Sequence, residues 1–232
     1  MKTIDLTYWI SPEGSKYPSD PLPEIDITPA FFDQGKLKSA VTNLKIRPHH
    51  GTHIDAPAHK LPEGLTIDKY CLDRFINDAV LINVFHTSDS RDRYCGHGYL
   101  YARRITYKAV EKAIKNDYNG QKAVLIRTGY ERVIEQGVQD DVNFPCLEED
   151  AAKYLADLGL NMLGIDSFSV DPKGSEKSPA HTALLEADCL IAETLVNPAK
   201  LQNCKAFRLY AIPIIIEGAD AAPARVFAEV SV

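Results

Sequence analysis

Four histidines and one aspartate fall within eleven residues, His49-His50-Gly51-Thr52-His53-Ile54-Asp55-Ala56-Pro57-Ala58-His59, in a chain that holds only seven histidines. Imidazole nitrogen and carboxylate oxygen suit Zn²⁺ or Mn²⁺, so this density points to metal-assisted chemistry. Composition and geometry disfavour the plainer reading, a polar loop with surface histidines. Spacing then restricts the backbone. On a straight strand His49 and His53 would stand ~13 Å apart at ~3.3 Å per residue, too far to share an ion whose ligands sit at ~2 Å. A helix would bring positions four apart together, but Gly51, Thr52 and Pro57 oppose a long helix. The expectation is a tight loop or single turn that folds His49, His53 and Asp55 around one point. Gly51 permits the unusual backbone, and Pro57 fixes the exit so that His59 points back into the cleft. His50, beside His49, should point elsewhere.

A second constellation lies in residues 166–195. His181 falls in the first turn of a helix expected over 178–187, where the positive helix terminus disfavours imidazolium and keeps the ring neutral, as a metal ligand must be. Taken alone, a histidine there reads more simply as a cap or a surface group. Glu193 follows on an apolar strand, and a buried carboxylate needs a cation partner. Two divalent ions nearly balance two carboxylates and a hydroxide, so His49, His53, Asp55, His181 and Glu193 suit a binuclear hydrolytic site with Asp55 bridging. A single ion held by the first cluster stays open. Asp166 and Asp171 precede His181; a hydrogen bond to a ligand histidine and ordinary turn chemistry account for them equally.

The elements that must position these residues are short. Runs rich in β-branched and aromatic residues at 3–10, 79–85, 122–128, 161–166, 189–195, 207–216 and 224–232 read as strands, several buried on both faces. Helical spacing covers 105–116, 146–159 (acidic first turn, Gly159 as stop) and 178–187, with Ser178 as N-cap and Pro179 behind it. Residues 11–35 read as an irregular, ordered arm. The order implies one α/β domain over 1–232 with a mixed sheet.

Composition excludes several classes. With 45% hydrophobic and 25% charged residues the chain can bury a sizeable core. A net charge of −6 without a basic run argues against nucleic acid and anionic membrane as partners. No apolar run has the length of a signal peptide core or a membrane span. The five cysteines are odd in number and lack C-x-x-C spacing; each reads as a small buried hydrophobe, and a reducing cytoplasm fits. His86 and His97 read as solvated, and Arg127 as a structural ion pair more than a carboxylate binder.

The sequence resembles the cyclase-type metal hydrolases, which include bacterial kynurenine formamidase and isatin hydrolase. The motif H-x-G-T-H-x-D-x-P-x-H stands intact at 49–59. Residues 4–20, 125–131, 164–172, 180–195 and 212–228 are similar to further family segments, so the likeness covers nearly the whole chain. It implies a swivelling β/β/α fold, homodimers or larger oligomers, and hydrolysis of a small amide or formamide. Metal would be bound by His49, His53 and Asp55, with Asp55 bridging to a second ion on His181 and Glu193, and His59 would act as general acid and base. Two Zn²⁺ per chain are expected, with Mn²⁺ as the alternative. The family's arm carries P-x-W-P-G-D where this chain has Ser15-Lys16-Tyr17-Pro18-Ser19-Asp20, with Tyr in place of Trp and Ser in place of Gly. Tyr8, Trp9 and Tyr17 are candidates for lining an aromatic pocket, with packing as the competing role. The competing activities are mononuclear, Mn²⁺-dependent ring opening of a cyclic amide, a non-hydrolytic cyclase, and metal binding without catalysis, which an intact His59 disfavours.

Overall fold

A computed structural model of the chain describes residues 1–87 and 93–231. The apolar runs form β1 (Lys2–Asp5), β3 (Ile76–Asn83), β4 (Ala123–Arg127), β5 (Met162–Ile165), β6 (Leu190–Glu193), β7 (Phe207–Pro213) and β8 (Ala221–Val230), and a strand outside those runs, β2, spans His53–Asp55. They join in one mixed sheet in the order β1-β8-β7-β3-β4-β5-β6-β2. Strands β3 to β6 are parallel. β7 and β2 pair antiparallel with β3 and β6 at the two ends of that block. The long β8 pairs with β7 on one side. On its other side it pairs with β1 near its end and with β2 through Ala221–Pro223. That last pairing closes the sheet into a barrel. The fold is mixed α/β, as expected.

Alternation along the strands divides the core in two. Ala79, Leu81, Leu125, Met162, Leu190 and Ala192 pack with Ile54, Leu209 and Val226 inside the barrel. Val80, Ile82, Val124, Ile126, Leu163 and Ile191 face outward. They are covered by α1 (Tyr107–Asp117), α2 (Glu149–Ala156) and α3 (Pro179–Glu186) through Val110, Ile114, Leu155 and Leu184. Each such residue contributes about 1.5–3 kcal/mol when fully buried. No helix among the described residues is long and apolar enough to cross a membrane.

Several expected boundaries move. The first strand stops at Asp5, because Leu6 and Thr7 leave β1's ladder to bond Val226 and bridge to Leu195. The 79–85 strand gives way to a short helix at Val84–Thr87, and the last strand ends at Val230, with residue 232 outside the described residues. Helix α1 starts later than expected, since the Thr106 side chain caps it by accepting from Ala109 N. Ser178 precedes α3 but does not cap it; its backbone is left-handed and its side chain makes no cap bond. The 11–35 arm is not irregular throughout. From Glu24 it becomes a β-ribbon, with Glu24–Thr28 paired to Val41–Lys45 and Phe31–Asp33 paired to Lys36–Lys38. Gln34 and Gly35 both have positive φ at its tip, as a two-residue hairpin turn requires. Only Cys189 of the five free cysteines is buried; Cys71 and Cys95 are exposed, on segments outside both core layers.

Gly64 holds the turn that carries His59. A Cβ there would stand 2.6 Å from Ala58 N and 2.7 Å from Pro57 O, atoms of the single turn Pro57–His59. Because the obstructing atoms are backbone, Gly64→Ala should cost about 1–3 kcal/mol. A shift of the urea midpoint at constant m-value measures it, and an unchanged midpoint would show that the approach is not tight.

Candidate metal centre

The outward face of β2 and β6 carries the chemistry. Ile54 points into the barrel, so His53 and Asp55 point out, and the register sets Glu193 opposite His53 and Ile191 opposite Asp55. The motif is therefore not one continuous turn. His53 and Asp55 share a strand face at i and i+2, and a turn at 49–52, with Gly51 at φ +67°, folds His49 back over them. A Cβ on Gly51 would meet Tyr8 O at 3.1 Å and Ile10 Cγ1 at 3.0 Å.

Six groups converge. His49 Nδ1 is 2.9 Å from Asp55 Oδ1. His53 Nε2 is 3.4 Å from both Asp55 Oδ1 and Glu193 Oε2. His181 Nε2 is 3.4 Å from both Asp55 Oδ2 and Glu193 Oε1. The His59 ring lies 4.4 Å from that of His49 and 5.4 Å from that of His181. Asp55, Glu193, His53 and His181 are buried.

Backbone and carboxylate partners aim the rings. Gly51 O accepts from His53 Nδ1, which leaves Nε2 as the lone-pair nitrogen facing the cluster. Asp171 Oδ2 lies 2.7 Å from His181 Nδ1 and has the same effect. Asp171 also accepts from Ala180 N and His181 N, so it caps α3 in place of Ser178. Asp220 Oδ2 lies 2.9 Å from His59 Nδ1 and 3.1 Å from His49 Nε2. Asp220 is the residue the sequence did not single out. It precedes β8 directly, where Ala221 pairs with Asp55. Its place inside the family-like segment 212–228, at a turn–strand junction, is the one signal that pointed to it.

Burial alone would raise the Asp55 and Glu193 carboxyls, yet the surrounding imidazoles outweigh it and hold both below their ordinary range. Burial works against charge on His49 as well, but Asp55 and Asp220 push it up to about 10. His181 rises by the same balance, chiefly through Asp171. Positive charge is what the cluster demands. His53 Nε2 and both Asp55 oxygens are buried and make no well-aligned hydrogen bond, although His49 Nδ1 stands 2.9 Å from Asp55 Oδ1. Two groups of donor atoms lie within 4.8 Å of one another, His49–Asp55–His59 and His53–Asp55–Glu193, and Asp55 belongs to both. These residues fit divalent cations.

The remaining expected residues divide. Tyr17 lines the cavity of about 530 Å³ that opens over the cluster, together with Phe168, Lys60 and Lys173. Tyr8 and Trp9 do not line it. Tyr8 is buried in an aromatic cluster, its hydroxyl accepting from Ser15 N, and Trp9 is 65% exposed. Asp166 bonds Thr128 and Gly129, not a histidine. Arg127 pairs with Glu131. His50 is buried, accepting from Arg47 N and facing Pro21 O. His97 is exposed at 3.5 Å from Asp141, and the side chain of His86 lies outside the described ones.

The Cyclase family model, described as "Putative cyclase", matches residues 4–172. The chain belongs to this cyclase family. It is 30% identical to a kynurenine formamidase of Salinibacter ruber (strain DSM 13855 / M31) over 97% of this chain and 96% of that protein. It is also similar to a solved structure described as a potential metal-dependent hydrolase with cyclase activity, with a TM-score of 0.72 and 26% identity over 98% of this chain and 96% of that one. Isatin hydrolase A of Labrenzia aggregata shares the fold at a TM-score of 0.81 and 20% identity, over 100% of this chain and 94% of that one.

Asp171 aims His181 and caps its helix at once. Asp171→Ala is expected to weaken retention of divalent metal about 10–100-fold, read by competition with a chelator. Unchanged retention would show that His181 does not depend on Asp171 for its hold on metal.

Proposed function

We propose that residues 1–232 act as one metal-dependent amidohydrolase unit whose substrate is a small aryl formamide of the N-formylkynurenine type. The observation that carries this reading is buried Asp55, whose Oδ1 faces His49 at 2.9 Å and His53 at 3.4 Å and whose Oδ2 faces His181 at 3.4 Å. His49, His53 and Asp55 would hold one ion, and Asp55, His181 and Glu193 a second, with Zn²⁺ favoured over Mn²⁺ for a His-rich set. Bound divalent ions lower the pKa of a water to about 7 and polarise a carbonyl.

The chain's own groups do the rest. His59, fixed through Nδ1 by Asp220, takes a proton from the attacking water and returns it to the leaving nitrogen. Asp220 keeps one tautomer in place and stabilises the imidazolium. Tyr17 and Phe168 offer an apolar wall for an aryl group. Lys60 and Lys173 stand at the mouth, where an amino-acid carboxylate would reach them. The resemblance to a formamidase along nearly the whole chain supports the same substrate class. A cytoplasmic location and a homo-oligomer, dimer or tetramer, complete the proposal.

Metal content of protein purified without chelator, measured beside formate release from N-formylkynurenine, tests this directly. Two ions per chain with formate release support it. One ion with ring opening of isatin and no formate would replace it with the mononuclear reading. Failure to take up Zn²⁺ or Mn²⁺ would overturn it. His59→Ala should lower kcat about 10²–10⁴-fold with metal content unchanged; loss of metal instead would make His59 a ligand. Lys60→Ala should raise KM for N-formylkynurenine about two- to fivefold without lowering kcat, and should leave KM for uncharged formanilide alone.

A further inference from the structure

His50 is the one motif histidine that the metal cluster leaves out, yet it is only 2% exposed. A buried imidazole with no part in the cluster needs partners of its own. It has two, on opposite sides of the ring. Arg47 N donates to Nδ1 at 3.2 Å, and Pro21 O lies 3.0 Å from Nε2. A backbone N–H can only donate and a backbone carbonyl can only accept. The two partners together admit one state, a neutral ring with its proton on Nε2. The bonds differ in reach. The Nδ1 bond is local and closes the 47–50 turn, beside His50 N donating to Arg47 O at 3.1 Å. The Nε2 bond spans 29 residues and ties that turn to the end of the 17–21 segment.

That segment is part of the cavity. Tyr17, Ser19 and Asp20 line the space over the metal cluster. Just before them the chain is anchored, with Ser15 Oγ donating to Ile134 O and Lys16 N donating to Val138 O. Past Pro21 it runs out into the β-ribbon and returns at Lys45. Two ties hold the segment to the turn that carries His49. One is the Asp20–Arg47 pair at 3.0 Å, but the Arg47 side chain is 57% exposed, and an ion pair so open to water holds little. The other is the His50 bond, whose donor ring is buried. Losing it would leave a buried N–H without a partner, which is the costly way to lose a hydrogen bond. His50 itself lines neither the cavity nor the donor groups of the metal cluster.

We propose that His50 is a positioning residue for the substrate cavity: its Nε2–H holds Pro21, and with it the 17–21 wall, against the turn that presents His49. Tyr17 and Asp20 then keep a fixed place over the metal cluster, and the aryl group of the substrate meets a wall that is already in position. The effect on turnover rests on the proposed formamidase reading. The hold on the wall does not, and it can be read without any substrate.

Two substitutions in the full-length, metal-loaded protein separate the bonds. Asn places an acceptor oxygen where Nδ1 stands and reaches no further, so His50→Asn keeps the turn bond and drops Pro21. Gln reaches as far as Nε2 and carries an N–H, so His50→Gln restores Pro21. Asp20 N donates to Tyr17 O at 3.0 Å, and hydrogen exchange at that amide reads the wall directly. His50→Asn should speed this exchange about two- to tenfold, as loss of one hydrogen bond does. It should raise KM for N-formylkynurenine by a similar factor and leave kcat and metal retention against a chelator unchanged. His50→Gln should bring exchange and KM back to wild type. Unchanged Asp20 exchange in His50→Asn, or equal effects of the two substitutions, overturns the proposal. So does a fall in metal retention with KM unmoved, because His50 would then act on His49 and not on the wall. A wild type that releases no formate, with exchange behaving as expected, removes the formamidase reading and supports the hold on the wall. Should His50→Asn fail to fold, nitrogen NMR of the wild-type imidazole decides, the signal being assigned by its loss in His50→Gln. A proton on Nε2 supports the proposal, and a proton on Nδ1 overturns it.

Discussion

Two buried carboxylates constrain everything around them. Asp55 and Glu193 sit on neighbouring strands, out of reach of water. A bare carboxylate in such a place is too costly to keep. Removing both would be one solution; this chain keeps both and gathers four imidazoles around them. The barrel provides the rigidity for that arrangement. Strand β2 brings two donors on one face, β6 brings the third opposite, and α3 lays His181 across them.

The second layer of control is in the ring nitrogens that face away. Gly51 O, Asp171 and Asp220 each occupy an Nδ1, so His53, His181 and His59 present Nε2 to the centre. These partners come from three separate stretches of chain. Each stretch also has a plain structural job: a turn, a helix cap, a strand start. Orientation of the site and definition of the fold use the same bonds.

That sharing explains which parts could be read from the sequence. Residues 49–59 were legible because His, Asp, Gly and Pro at that spacing have few other uses together. Glu193 was legible as a charge in an apolar strand. The strand at His53–Asp55 was not, because three residues give no periodicity to recognise. Asp220 was hidden because an acid beside Gly218 at a turn needs no further reason. Tyr8 and Trp9 failed as pocket residues because the wall comes from loops near 17 and 168, placed by tertiary packing. The ribbon escaped notice because its Pro- and Asp-rich approach suggested irregular chain, and only Gln34-Gly35 between apolar runs marked the turn. The outcome was clearest where a residue type has a single chemical excuse, and poorest where long-range packing decides.

Strand β2 is only three residues long, yet it completes the ring by pairing with β6 on one side and β8 on the other. Its partners are some 140 and 170 positions away in the chain. Bringing such distant segments together costs more chain entropy than a local pairing does. This seam is where the barrel closes, and two of its three residues, His53 and Asp55, belong to the site. A bound ion would act as the thread, drawing that strand shut and tying completion of the barrel to readiness of the site.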